Sequence, residues 1–124
     1  MKSRETVYSG VRHEPEKGTL GDALVFVDKR KLSPVPSQKI HNHSPDGFNW
    51  GYGGSGPAQL ALGILLDYYG KASEKWKLYQ QFKWRVIATL PQEENWTLTG
   101  GEIDVIMAEL TDEHPEHRAI EVDP

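Results

Sequence analysis

Residues 44–70 read SPDGFNWGYGGSGPAQLALGILLDYYG: three aromatics and five glycines, then a long apolar run. The second half decides the fold. Pro57 suits a first helical position, where its missing N–H removes no hydrogen bond. From Ala58 to Leu66 the only polar side chain is Gln59. A helix apolar nearly all round is a central, buried helix, so a buried helix is expected over 57–69, with Gly70 just past its end. Gly63 in its interior costs about 1 kcal/mol relative to alanine and implies close approach of another backbone.

The residues before it are expected to be β-rich. Thr6–Arg12 (TVYSGVR) and Ala23–Val27 (ALVFV) read as strands, Asp28–Arg30 as a turn, and Lys31–Leu32 as the start of a third short strand. HEPEKGTLG at 13–21 is a loop by composition, and the prolines of Ser33–Ser37 stop regular pairing. After Gly70, Trp76, Tyr79, Phe82, Val86, Ile87 and Leu90 trace a helical stripe from about Ser73 to Pro91, with Trp84–Leu90 as a strand the alternative. Thr99 and Glu102 form a capping box, Leu98 and Ile103 a hydrophobic staple, and Ile103, Ile106, Met107 and Leu110 a buried stripe. The expected architecture is α+β: an N-terminal antiparallel meander of two to three strands against about three helices. Residues 1–110 are expected to form one globular domain, and the acidic segment 111–124 a mobile tail with Ala119–Val122 touching the domain.

With 124 residues, there is room for one domain. The net charge of −4 and pI near 5.7 argue against nucleic-acid binding, which rests on phosphate neutralisation. There are no cysteines, which excludes disulfides, thiolate metal sites and cysteine nucleophiles and fits a cytoplasmic protein. Met1–Glu5 lacks the apolar core of a signal peptide, and no apolar run is long enough to span a bilayer.

Gly51, Gly53 and Gly56 spell G-x-G-x-x-G before a helix. The dinucleotide fold also needs a long apolar first strand and an acidic residue ending a second strand about 20 positions on. FNW is no such strand, and Glu74 lies at the start of the next helix. The P-loop pattern fails because no Lys-Ser/Thr follows the last glycine. A looser anion site survives: backbone N–H groups of Gly53, Gly54, Ser55, Gly56 and Ala58 at a helix N-terminus, with the Ser55 hydroxyl. Equally, the glycines serve only to pack the loop beneath the helix. Phe48, Trp50 and Tyr52 share one face of an extended segment, as core or as a stacking platform for a base. Gln59 is a polar group that must be satisfied, by the loop backbone or by a ligand.

His41 and His43 sit two apart, but only Asp46 offers itself as a third ligand, so no metal or other cofactor is expected. Their expected role is to fix the turn around Ser44–Gly47 by hydrogen bonds to backbone. Ser55 in G-S-G falls short of a nucleophile elbow because Pro57 stands where the outer glycine belongs. No catalytic residue is assigned.

The glycine motif GFNWGYGGSGPAQLAL, together with Tyr8-x-Gly10-x-Arg12, His43-Ser-Pro-Asp-Gly47, Leu78-Tyr-Gln-x-Phe-Lys83 and Trp96-x-Leu-Thr99, resembles the signature of a family of small bacterial, archaeal and phage proteins of unknown function. The resemblance runs from about Tyr8 to Leu110 and implies a phage or mobile-element context for some members. It implies no activity or cofactor. The functional expectation is a non-enzymatic binding protein that captures a compact, nucleotide-like anion. Trp50 or Tyr52 stacks, Gly53, Gly54, Ser55, Gly56 and Ala58 hold the anion, and Gln59 or Arg12 adds hydrogen bonds. The alternative is a protein-interaction module or inhibitor in which the motif is purely structural. A small hydrolase ranks third and requires His41 or His43 against Ser55. A homodimer is compatible with either leading reading.

Overall fold

A computed structural model describes residues 2–12 and 23–115. The fold is α+β. Strands β1 (Val7–Arg12), β2 (Ala23–Val27) and β3 (Arg30–Lys31) are followed by helices α1 (Val35–Ile40), α2 (Ser55–Tyr69) and α3 (Tyr79–Arg85), then strand β4 (Trp96–Thr99) and helix α4 (Gly100–Glu113). The four-stranded sheet runs β3-β2-β1-β4 with every pair antiparallel. The loop expected at 13–21 and the contact expected from Ala119–Val122 lie outside the described residues.

The buried face of the sheet is built from two cross-strand rows. Val27, Tyr8 and Leu98 form one; Val25, Gly10 and Trp96 form the other. Each of the six is buried, whereas Thr97 between Trp96 and Leu98 is exposed. Gly10 leaves a notch in the second row, and the Trp96 indole fills it. A Cβ on Gly10 would lie 2.1 Å from Trp96 Nε1. The Trp96 ring then meets Trp50 edge to face, with centroids 5.6 Å apart.

As its sequence requires, α2 is the central helix, buried from Gly56 to Leu65 and again at Tyr68. It packs against α1 and α3. Its C-terminal end is pinned on both sides. Tyr8 Oη donates to Asp67 at 2.6 Å, and Tyr68 and Tyr69 donate to the two oxygens of Asp104 on α4 at 3.0 and 2.9 Å. Close approach at Gly63 comes from the Phe48 ring rather than a backbone: Cε1 and Cζ lie 2.8 Å from where a Cβ would stand.

Three elements depart from expectation. Ser33–Ser37 does end strand pairing, but the chain then turns into α1, because Pro34 and Pro36 fall at its start, where no N–H is required. The long helix expected from Ser73 to Leu90 is broken into 3-10 turns at 71–73 and 75–78, the short α3, and a further turn at 87–89. Glu74 adopts a left-handed φ of 60°, which no continuous helix tolerates. Breaking the path lets Leu78, Phe82, Val86 and Ile87 reach the core while Trp76 stays half-buried. Third, the sheet gains β4, a strand from the far end of the chain.

The capping box of α4 forms: Thr99 Oγ1 accepts from Glu102 N at 3.1 Å and Thr99 N donates to Glu102 Oε1 at 2.9 Å. Helix α4 continues through Thr111 to Glu113, so the first residues of the acidic segment are helical. Among the described residues, no helix is long and apolar enough to cross a membrane.

Candidate functional site

The glycine loop is built backward from α2. Gly51 takes φ +87°, where a side chain would be strained, and its N–H donates to Ile87 O at 3.0 Å. A Cβ there would also strike the Gln92 backbone at 2.5 Å. Asn49 N donates to Gly56 O at 3.2 Å and Ala58 N to Gly54 O at 3.2 Å, closing the loop onto the first turn of the helix. The N–H groups of Gly53, Gly54, Ser55 and Gly56 meet no acceptor of the chain among the described residues. Those of Gly54, Ser55 and Gly56 are the orphan donors of a helix start, and Gly53 stands just before the cap.

The structure separates the residues singled out in the sequence. Trp50 is fully buried; its Nε1 donates to Glu94 O at 3.2 Å, and its ring is core. Arg12 lies over that ring, 4.1 Å from the centroid, with Nε donating to Gln92 O at 2.7 Å and Nη2 to Asn49 Oδ1 at 2.6 Å. It clasps the loop rather than pointing outward. Gln59 is also buried and has four partners. Oε1 accepts from His43 N (2.8 Å) and Ser44 N (3.0 Å), while Nε2 donates to Ser37 Oγ (2.9 Å) and His41 O (3.1 Å). Gly56 and Ala58 are buried; Gly53, Ser55 and Tyr52 are exposed. The Tyr52 ring folds back over the helix start, 2.5 Å from where a Cβ of Gly54 would stand.

Lys83 and Trp84 on α3 complete this corner. Lys83 is only 7% exposed, yet among the described residues its Nζ has a single hydrogen bond, to Gly53 O at 3.3 Å. It lies 4.3 Å from the Trp84 ring centroid and has no carboxylate in ion-pair range among the described residues. Burial lowers its pKa below the ordinary lysine value. Trp84 lies against Gly53, where a Cβ would come within 2.2 Å of the ring, and stays 60% exposed. Neither residue stood out in the sequence as part of the site. The available signal was position: Lys83 is four residues after Tyr79 and adjacent to Phe82, on the apolar stripe of its helix.

His41 and His43 stack face to face, centroids 3.8 Å apart, and His43 Nε2 lies 2.6 Å from Tyr79 Oη. The turn they were expected to fix is held instead by Gln59 and by Gln38 Nε2, which donates to Ser44 O at 2.9 Å. No histidine nitrogen is hydrogen-bonded to Ser55, and no three His, Asp or Glu side chains converge on a metal-binding position, among the described residues.

Burial, reinforced by the charges of His41 and Lys83, lowers the pKa of His43. The unfolded chain therefore binds the proton more readily, near the ordinary value of about 6.5. Stability is expected to fall as pH drops below about 6.5 and to level off below the folded value. A His43→Gln variant should lose this component of the urea-midpoint pH profile, and the His43 C2 proton should titrate below the ordinary histidine midpoint.

Fold and site together define a small α+β domain whose central buried helix opens from a glycine loop beside a buried lysine that pairs with no carboxylate among the described residues. The chain belongs to a family of unknown function (DUF6166), whose model matches residues 8–109. No curated protein and no solved structure matches it.

Proposed function

We propose that this protein is a non-enzymatic binding protein that captures a compact, nucleotide-like anion at the start of α2. One observation carries the reading: Lys83, a residue only 7% exposed, pairs with no carboxylate among the described residues, and its one hydrogen bond there is to Gly53 O, in the loop whose Gly53, Gly54, Ser55 and Gly56 N–H groups also lack acceptors among the described residues. A buried charge left without a counter-charge is costly, and an arriving anion removes that cost. The donor set is the Gly53, Gly54, Ser55 and Gly56 backbone with the Ser55 hydroxyl and Lys83. Since Trp50 is buried, stacking falls to the exposed Tyr52 and Trp84. The cysteine-free sequence supports a cytoplasmic setting.

Calorimetry against nucleoside mono-, di- and triphosphates and inorganic phosphate tests this. Lys83→Met and Ser55→Asp should each weaken binding by more than about tenfold. Failure of the wild type to bind any of these, or equal binding by Lys83→Met, overturns the assignment.

A protein-interaction module is the second reading, favoured by the 60% exposure of Trp84. A stoichiometric complex that tolerates Lys83→Met but not Trp84→Ala would select it.

A further inference from the structure

A second site lies where α1, the end of α2 and the 3-10 turns meet. An open groove of about 580 Å³ is lined by Pro36, Lys39, Ile40, Leu66, Lys71 and Trp76. That is the size of a small-molecule site. Its walls are set before any ligand arrives. Trp76 Nε1 donates to Lys71 O at 2.8 Å, which holds the indole against the groove, and Ser73 Oγ donates to Gly70 O at 2.9 Å, which fixes the turn below it.

The charged residues that line the groove have one sign. Lys39 and Lys71 flank it and form no ion pair among the described residues. Lys75 stands 4.6 Å over the Tyr69 ring. The nearby carboxylates are engaged: Glu74 with Lys77 at 2.9 Å, and Asp67 with Tyr8, Lys2 and Arg30 on the sheet side of α2. A protein of net charge −4 thus sets two lysines, neither ion-paired among the described residues, on its apolar groove.

We propose that this groove binds an apolar carboxylate: a hydrocarbon body seated on Ile40, Leu66 and Trp76, with its carboxylate between Lys39 and Lys71. Apolar burial supplies most of the affinity, and the two lysines distinguish the acid from the corresponding alcohol. This site shares no residue with the start of α2 and does not depend on that reading.

The test uses decanoate and decan-1-ol as probes of the full chain, below micelle formation, followed by amide chemical shifts and Trp76 fluorescence. Decanoate at about 1 mM should move resonances of residues 36–40, 66–71 and 76, bind at least about tenfold more tightly than decan-1-ol, and lose about tenfold in the Lys39→Glu/Lys71→Glu variant. Both lysines are exposed, so that variant is expected to fold, and its far-UV circular dichroism checks this. Absence of shifts in those segments, equal affinity for acid and alcohol, or indifference to the double substitution overturns the proposal. So does movement of the same resonances on concentrating the protein alone, which would assign the groove to a second copy.

Discussion

Gln59→Met is expected to lower unfolding free energy by about 4 kcal/mol, with the urea midpoint falling and its slope unchanged. Methionine nearly matches the length and volume of glutamine, so no large cavity contributes. What is lost is a set of four hydrogen bonds, two accepted from the N–H groups of His43 and Ser44 and two donated to Ser37 Oγ and His41 O. Each is worth about 1 kcal/mol net. Some partners have a second bond in reserve. His43 N also reaches His41 O at 3.2 Å, and Ser37 Oγ donates to Pro34 O at 2.7 Å. Ser44 N has no such reserve among the described residues, so its amide should lose hydrogen-exchange protection most. In a double-mutant cycle, Ser37→Ala should couple to Gln59→Met by about 1 kcal/mol. A total loss below about 1 kcal/mol would mean that the 41–44 segment is held by something other than Gln59.

Gly10→Ala is expected to cost about 3 kcal/mol although it adds one methyl group to a strand. The new Cβ would sit 2.1 Å from Trp96 Nε1 and 2.3 Å from Cε2, so the indole must leave its notch. That ring is 6% exposed and braced against Trp50, which in turn carries the Arg12 guanidinium. Displacement therefore travels from the sheet into the glycine loop. The near-ultraviolet circular dichroism of the tryptophan pair should collapse along with stability. Trp96→Leu should restore part of the loss in the Gly10→Ala background, because the smaller side chain clears the new methyl. It forfeits no hydrogen bond, since Trp96 Nε1 is buried without a partner among the described residues. If the double variant is no more stable than Gly10→Ala alone, the glycine serves the backbone and not the indole.

Both positions show what is readable in a single sequence. Gln59 announced itself as the one polar residue in an apolar helix, so that it had to be satisfied was legible. Its four partners were not, since they lie on α1 and the 41–44 segment, brought to it only by packing. Gly10 carried no signal of its own: its meaning comes from Trp96, 86 positions later, through a strand pairing. The W-T-L-T alternation at 96–99 was a strand signal of the ordinary two-residue period, but four residues are too few to outweigh the capping box beside them. Lys83 stood in the sequence only as part of a family motif, next to Phe82 of the apolar stripe. Its isolation from any carboxylate was not legible, because that depends on what every neighbouring element brings to one corner.

Local and periodic features were legible along the chain: a buried helix from its charge-free run, the capping box from Thr99 and Glu102, strands β1 and β2 from β-rich segments, and the α+β class from their order. These follow from interactions within a few residues, where spacing along the chain is spacing in space. Tertiary structure alone decided which side of each residue faces the interior. It put Trp50 into the core and laid Arg12 over its ring, broke the expected long helix at Glu74, and brought Lys83 to Gly53 O at the glycine loop. The physical reason is that burial and charge pairing are sums over neighbours distant in sequence, and those neighbours exist only once the chain has packed.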